Sequence, residues 1–296
     1  MDESDWLAER FEEQRAHLRA VAYRMLGSLD EADDAVQDAW LRLSRSGASE
    51  VENLGAWLTT VVARVCLNTL RSRNVRNEAS LGVHVPDPIV KTPEEEALLA
   101  ESIGLALLVV LDTLTPAERL VFVLHDMFQL PFEEIAPMID RSTDAARQLA
   151  SRARRRIKGA EVPAADADLA RQRQVVDAFF LATRGGDFDA LVALLDPDVV
   201  LRNDAGPRRP ASSFVIRGAA AVATQALKGL RSAIPAALLR PALVNGAAGV
   251  VVTVGGRPMA VMGFTITAGK ILEIDAIADP ERVRRIAAAV LAADQR

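Results

Sequence analysis

Apolar residues recur every three to four positions through the first half of the chain, which is helical spacing. Residues 4–26 place Trp6, Phe11, Leu18, Val21, Ala22 and Met25 on one stripe, and Gly27 closes that helix. A second helix is predicted from residue 29, capped by Asp30, with Ala32, Ala35, Val36, Ala39, Trp40 and Leu43 inward. After a polar loop at 44–53, a third runs over 55–73 on Trp57, Leu58, Val61, Val62, Val65, Cys66 and Leu70. Residues 77–93 break the pattern, because three prolines push their predecessors to extended backbone. Helices are expected again over 93–113 and 116–128, the latter opened by Thr115 and Glu118 at capping-box spacing.

Residues 131–158 read as two helices around a tight turn. Pro131 suits a first helical turn, and Ile135, Ala136 and Ile139 give the short helix its apolar stripe. Pro137 removes an internal hydrogen bond late in that helix, at a cost of up to about 3 kcal/mol if it is interior. Asp140 and Arg141 form the turn, where Asp can take the left-handed conformation, and Ser142 caps the second helix. Ala146, Leu149, Ala150, Ala153 and Ile157 share one face of it, and the opposite face is basic. This is a helix-turn-helix with the recognition helix second.

A polar linker at 159–168 precedes a change of pattern. Helices at 169–183 and 188–195 lead into strand-like runs at 199–202, 213–216, 242–245, 250–254, 259–267 and 271–277, with a helix at 219–230. The expected architecture is multidomain: two all-α domains followed by an α+β cone-like domain on a largely antiparallel sheet. The expected boundaries are 1–76, a linker at 77–100, 101–160, and 161–296.

Charge sharpens this picture. The formal net charge is −5 over 296 residues, so any nucleic-acid surface is a local patch. In the helix-turn-helix, Arg141, Arg147, Arg152, Arg154, Arg155, Arg156 and Lys158 face few acids. The third helix has a weaker basic edge of Arg64, Asn68, Arg71 and Arg73, then Arg76. The second helix carries Glu31, Asp33, Asp34, Gln37 and Asp38 on its outer face; acids there also suit the helix dipole. One cysteine, Cys66, excludes internal disulfides and thiolate metal clusters. The N-terminus is unlike a signal peptide and no apolar run is long enough to span a bilayer, so a cytoplasmic protein without membrane contact is expected.

The acidic helix, the basic-edged helix and the helix-turn-helix, in this order, resemble the extracytoplasmic-function (ECF) group of the bacterial sigma-70 family. SLDEADDAVQDAWLRL resembles region 2.2, which docks on core RNA polymerase, and GAWLTTVVARVCLNTLRSR resembles regions 2.3–2.4, which meet the −10 promoter element. Residues 114–157 resemble region 4, which reads the −35 element. The resemblance implies core polymerase and promoter DNA as partners, without a cofactor or metal. It assigns polymerase docking to Glu31, Asp33, Asp34, Gln37 and Asp38. DNA contact falls to Arg64, Asn68, Arg71 and Arg73, and to Arg141, Thr143, Asp144, Arg147, Gln148, Ser151, Arg152 and Arg155.

The tail, with VVDAFFLATRGGDFDALVALLDPDVVLRND and ILEIDAIADPERVRRI, is similar to a SnoaL-like (NTF2-like) domain. A sigma factor with that tail resembles the SigJ-like subgroup, whose tail adjusts activity in cis through region 2 and the linker. Where the subgroup's linker has Trp-Leu-Pro-Glu-Pro, this chain has Val83-His84-Val85-Pro86-Asp87-Pro88. The segment Val254 to Pro258, with Gly255, Gly256 and Arg257, is expected at the contact with the N-terminal half; Gly-Gly between strands is equally a hairpin signal. SnoaL-like cyclases use a cavity carboxylate or His as base, but the tail has no His, and Asp204 and Asp275 read as solvent-facing. The tail is expected to be non-enzymatic, with a small-molecule ligand possible in its cavity. The alternative is a one-component regulator, which would have no use for the acidic second helix.

Overall fold

The computed structural model describes residues 3–46, 53–77, 83–92, 104–160, 165–233 and 237–293. Two compact units result: Met1–Leu81 with Val110–Glu161, and Gly82–Val109 with Val162–Arg296. The first linker therefore groups with the tail, and the two helical segments form one unit. The start of the expected helix at 93–113 lies outside the described residues.

In the first unit, α1 (Glu3–Leu26), α2 (Leu29–Ser46) and α3 (Leu54–Asn77) surround Leu18, Val21, Met25, Val36, Leu43, Leu58, Val62 and Cys66, all buried. Burying a side chain of this size contributes about 1.5–3 kcal/mol. Trp6, expected inside, is 40% exposed on α1, with the Arg10 guanidinium over its ring. The cap of α2 is Ser28, whose hydroxyl accepts from the Glu31 N–H at 3.5 Å; Asp30 lies inside the first turn. Asn53 caps α3 through the Ala56 N–H at 3.0 Å.

The unit continues through the end of α4 (Leu105–Leu111) into α5 (Pro116–Phe122), which carries the expected Thr115–Glu118 capping box. Its last part widens to a π-helical turn over Val123–Met127. Then come α6 (Phe132–Ile135) and α7 (Thr143–Gly159). Pro137 costs less than an interior proline would, because the chain changes to a 3-10 turn over Ala136–Met138 and seats it there. Asp140 has φ of 54°, and Ser142 accepts from the Ala145 N–H at 3.3 Å, as expected. Ala146, Ala150 and Ala153 are buried beneath α7. Arg119, almost fully buried, pairs with Asp112 and donates to the Arg24 carbonyl at 3.1 Å, tying α5 to α1.

The second unit has α8 (Leu169–Gly185), α9 (Phe188–Leu194), α10 (Ala219–Ala233), α11 (Pro280–Ile286) and α12 (Ala288–Ala293). Its seven strands are β1 (Val90–Lys91), β2 (Leu195–Asp204), β3 (Phe214–Arg217), β4 (Ala237–Val244), β5 (Ala247–Val254), β6 (Arg257–Thr267) and β7 (Lys270–Ile277). They lie in the order β1-β4-β5-β6-β7-β2-β3, antiparallel except for the parallel pair β2–β7. The curved sheet closes over Phe179, Phe180, Leu191, Val222, Phe264 and Ile274, and the three phenylalanine rings meet edge to face at 5.4–6.0 Å. Strand β1 belongs to the linker and was not foreseen. No helix among the described residues is long and apolar enough to cross a membrane.

Candidate polymerase and nucleic-acid interfaces and the linker clasp

On α2 the acids divide by what lies opposite. Glu31 pairs with Arg73, and Asp33 pairs with Arg19 at 2.5 Å, so both help tie the helices together. Asp38 pairs within its own helix with Arg42 at 3.2 Å. Asp34 and Gln37 are exposed and, among the described residues, have no bonding partner. Leu41, one turn beyond Gln37, is 40% exposed on the same face.

The basic edge of α3 is similarly sorted. Arg73 faces inward, donating to the Leu26 carbonyl at 2.9 Å as well as pairing with Glu31. Arg64 is exposed and donates to the Pro137 carbonyl at 3.3 Å. Asn68 and Arg71 are exposed. The side chain of Arg76 lies outside the described residues.

On α7, Ser142 and the exposed Asp144 occupy the first turn. Arg147 lies over the Phe132 ring, within 3.0 Å of both Asp144 and Glu133. Pairs this exposed are worth about 0–1 kcal/mol, so the guanidinium can exchange partners. Arg154 pairs with Asp126 at 2.5 Å and Arg156 with the nearly buried Glu118 at 3.0 Å. Among the described residues, Arg141, Gln148, Ser151, Arg152, Arg155 and Lys158 are exposed with no pairing partner, and Thr143 is half-buried. The helix thus presents an unoccupied polar and basic stripe.

The second unit builds a site that the sequence did not announce. Asp279 caps α11 by accepting from the Glu281 and Arg282 N–H groups at 3.0 and 2.9 Å, which fixes where Arg282 starts. The Arg282 fork reaches three acceptors: Asp87 at 2.6 Å, Asp204 at 2.6 Å and the Val85 carbonyl at 2.5 Å. Arg285 adds a second contact to Asp87 at 2.9 Å. Asp204 also accepts from the Val85 N–H at 3.0 Å, and His84 lies 3.6 Å away. Asn245 holds Ile89 at both ends, its carboxamide accepting from the Ile89 N–H and its own N–H donating to the Ile89 carbonyl at 2.9 Å. Val90 and Lys91 then pair with Val244 and Leu243. Residues 83–91 are thereby clasped to the tail and extend its sheet.

Both tail aspartates are buried rather than solvent-facing. Burial opposes the charge on Asp204, yet His84, the Val85 N–H, Arg282 and the Gly206 N–H together hold its carboxyl well below the usual range. Gly206 has φ of 78°, and a Cβ there would fall 2.0 Å from Asp279, so the loop after β2 needs glycine. Burial raises Asp275 to about 6 against the opposing charge of Arg202, which bridges Asp275 and Glu273 at 3.0 and 2.9 Å. Gly255 and Gly256, with φ of 56° and 76°, form the tight turn between β5 and β6, open on both sides, and Arg257 is exposed.

A model of sigma-70 region 2 matches residues 11–76, and one of sigma-70 region 4 matches residues 104–157. The chain is 37% identical over 287 residues to the ECF RNA polymerase sigma factor SigJ of Mycobacterium tuberculosis, covering 92% of this chain and 91% of that protein. It is 35% identical over 285 residues to the probable ECF RNA polymerase sigma factor SigI of the same organism, covering 95% and 96%. The crystal structure of M. tuberculosis SigJ superposes with a TM-score of 0.74 at 35% identity, covering 93% of this chain and 97% of that one.

Proposed function

The chain belongs to the extracytoplasmic-function sigma factors of the sigma-70 family, subunits that direct RNA polymerase to promoters, and we propose how its surfaces divide that work. Core polymerase docks on the outer face of α2, chiefly on Asp34, Gln37 and Asp38; Glu31 and Asp33 serve there mainly by fixing the helix through Arg73 and Arg19. Arg64, Asn68 and Arg71 meet the −10 element, with Arg73 holding α3 in place behind them. Arg141, Arg147, Gln148 and Ser151 read the −35 element, Thr143 and Asp144 shape the start of the reading helix, and Arg152 and Arg155 neutralise phosphates. The protein works in the cytoplasm, beside core polymerase.

The tail regulates this step in cis, and the clasp is the observation that carries the reading. A linker built into the tail as strand β1 is not free to pay out between two promoter-reading segments, so holding it biases the state of the whole subunit. The exposed β5–β6 turn, Gly255, Gly256, Arg257 and Pro258, is the proposed second contact, with the N-terminal half. No chemistry is assigned to the tail: Asp204 is engaged by the clasp and Asp275 by Arg202. Run-off transcription with purified core polymerase tests both parts. The full chain should yield promoter-dependent transcripts, and removing residues 166–296 should change the yield several-fold. No transcript would sink the first part; a yield within about twofold would sink the second.

A further inference from the structure

The outer face of the tail's sheet, turned away from the phenylalanine core, carries an opening of its own. Side chains alternate along a strand, and Phe264 and Ile274 point into the core, so Gly263, Thr265 and Asp275 point the other way. Gly263 pairs directly with Asp275 across β6 and β7, and Thr265 pairs with Glu273. A Cβ at Gly263 would fall 2.9 Å from Val244 and 3.1 Å from Leu105, so glycine there lets the start of α4 settle on this face. Between them remains a partly open cleft of about 240 Å³. Leu105, Leu107, Ala165 and Val244 give it apolar walls, and Thr265 and Asp275 supply its polar side chains.

Those two side chains are buried and incompletely used. Thr265 is 8% exposed and Asp275 2%. One Asp275 oxygen accepts from Arg202 at 3.0 Å. Among the described residues its other oxygen accepts nothing, and the Thr265 hydroxyl has no hydrogen bond. Arg202 also donates to Glu273 at 2.9 Å, and the second Glu273 oxygen is buried without a partner. Two carboxylates thus share one guanidinium, and a buried surplus of negative charge is unfavourable until a cation or a proton meets it. Burial, with the charge of Glu273, raises Asp275 to about 6 against the pull of Arg202, so at neutral pH the proton is gone and the surplus stands. No group of three or more metal-binding side chains occurs among the described residues, which leaves too few donors for a metal ion. An ammonium group needs fewer acceptors, and the apolar walls suit a short hydrocarbon body.

We propose that this cleft binds the protonated amine of a small aliphatic molecule, the ammonium on Asp275 and Thr265 and the hydrocarbon against Leu105, Leu107 and Val244. The guest touches residues 104–107, the first residues of the segment that the region 4 model matches, and so fastens the start of that segment to the tail. That consequence rests on the tail's regulatory role, whereas binding itself is measured without transcription, so either can fail alone.

The probes are n-butylamine, n-butanol and butyrate, titrated into the full chain by calorimetry and ligand-observed NMR at constant ionic strength. At pH 7.5, n-butylamine should bind saturably and at least tenfold more tightly than either of the others. Near pH 6 its binding should release about half a proton, read from the dependence of the heat on the buffer, because a bound cation favours ionised Asp275. Asp275→Asn should lose n-butylamine affinity by tenfold or more with an unchanged circular dichroism spectrum. Thr265→Val, close in shape, should lose about three- to tenfold, the worth of one hydrogen bond. This second variant carries the test if the first does not fold. Absence of saturable n-butylamine binding, n-butanol or butyrate binding as tightly, no proton release near pH 6, or unchanged affinity in either folded variant would each overturn the proposal.

Discussion

Two helices of this protein carry almost the same text. Residues 152–157 on α7 read Arg-Ala-Arg-Arg-Arg-Ile, and residues 282–286 on α11 read Arg-Val-Arg-Arg-Ile. Their structural fates are opposite. On α7 the buried positions are alanines, and Arg152 and Arg155 project into solvent without a pairing partner among the described residues. On α11, Arg282 lies against two buried aspartates and a carbonyl, and only 16% of its side chain is exposed. A run of arginines states that charge is available, not whether it faces an outside partner or a carboxylate from the same chain. The decision lies with the surface opposite, and for α11 that surface includes a linker nearly two hundred residues away.

The comparison breaks most visibly at Arg282. Arg282→Ala leaves Asp87 and Asp204 buried with their main cation gone, and losing one partner of such a pair costs about 3–5 kcal/mol. Thermal unfolding should show that loss for the second unit; a change below about 1 kcal/mol would mean the clasp is only an accompaniment to the fold. Arg285, more exposed, should cost about 1 kcal/mol or less when changed to alanine.

On the first unit the largest effect is expected from the acids of α2 that no other helix engages. Reversing Asp34 and Asp38 to Lys should weaken core polymerase binding roughly a hundredfold while the fold persists, since inverted charges at an interface both lose attraction and add repulsion. Unchanged co-purification with core polymerase would return these residues to ordinary solvated helix acids.

On α7, Gln148→Ala should lower discrimination at the −35 element by about 1–3 kcal/mol if it reads a base edge. Arg155→Ala should weaken binding to all sequences alike and reduce the salt slope by about one. Arg154→Ala and Arg156→Ala should act less on DNA than on the packing of α7, because Asp126 and Glu118 already engage them. Equal loss on specific and random DNA for Gln148→Ala would contradict its place in the reading stripe.

The last effect concerns pH. Asp275 titrates near 6 in the folded chain, mainly through burial, above its unfolded value. Between about pH 4 and 6 the folded state therefore holds a proton that the unfolded state has released, so this group lowers stability as pH rises through that window. Asp204 has the opposite sign: held low, it contributes stability at neutral pH that is lost in acid. Asp275→Asn should shift the slope of unfolding free energy against pH in the positive direction over that window. An unchanged slope would assign the titration elsewhere.

What was legible in the sequence was local. The helix-turn-helix, its left-handed Asp140, the Ser142 cap and the Thr115–Glu118 box each depend on residues within a few positions of one another. The caps at Ser28 and Asn53 were missed for a local reason as well, since acidic and polar neighbours competed for the role. The clasp was not legible, because Asp87 reads as one residue of a proline-rich linker and Arg282 as one of many arginines. The expectation that a lone Asp in a strand segment faces solvent also failed at Asp275, which is buried. Strand β7 lies inside the sheet between β6 and β2, and its last four residues are all buried, so Asp275 has no solvent-facing side to take. Among the candidate interface residues, the sequence could mark Arg73, Glu31 and Asp33 as charged but not as partners of other helices.

Amide hydrogen exchange at Val85 and Ile89, followed in the free protein and in its complex with core polymerase, bears most directly on the clasp. Both N–H groups are donated to tail side chains, Asp204 and Asn245. The account predicts strong protection in the free protein, loss of that protection in Arg282→Ala, and faster exchange when core polymerase is bound. Fast exchange at both amides in the free wild-type protein, or protection unaltered by Arg282→Ala and by core polymerase, would contradict a tail that regulates by holding the linker.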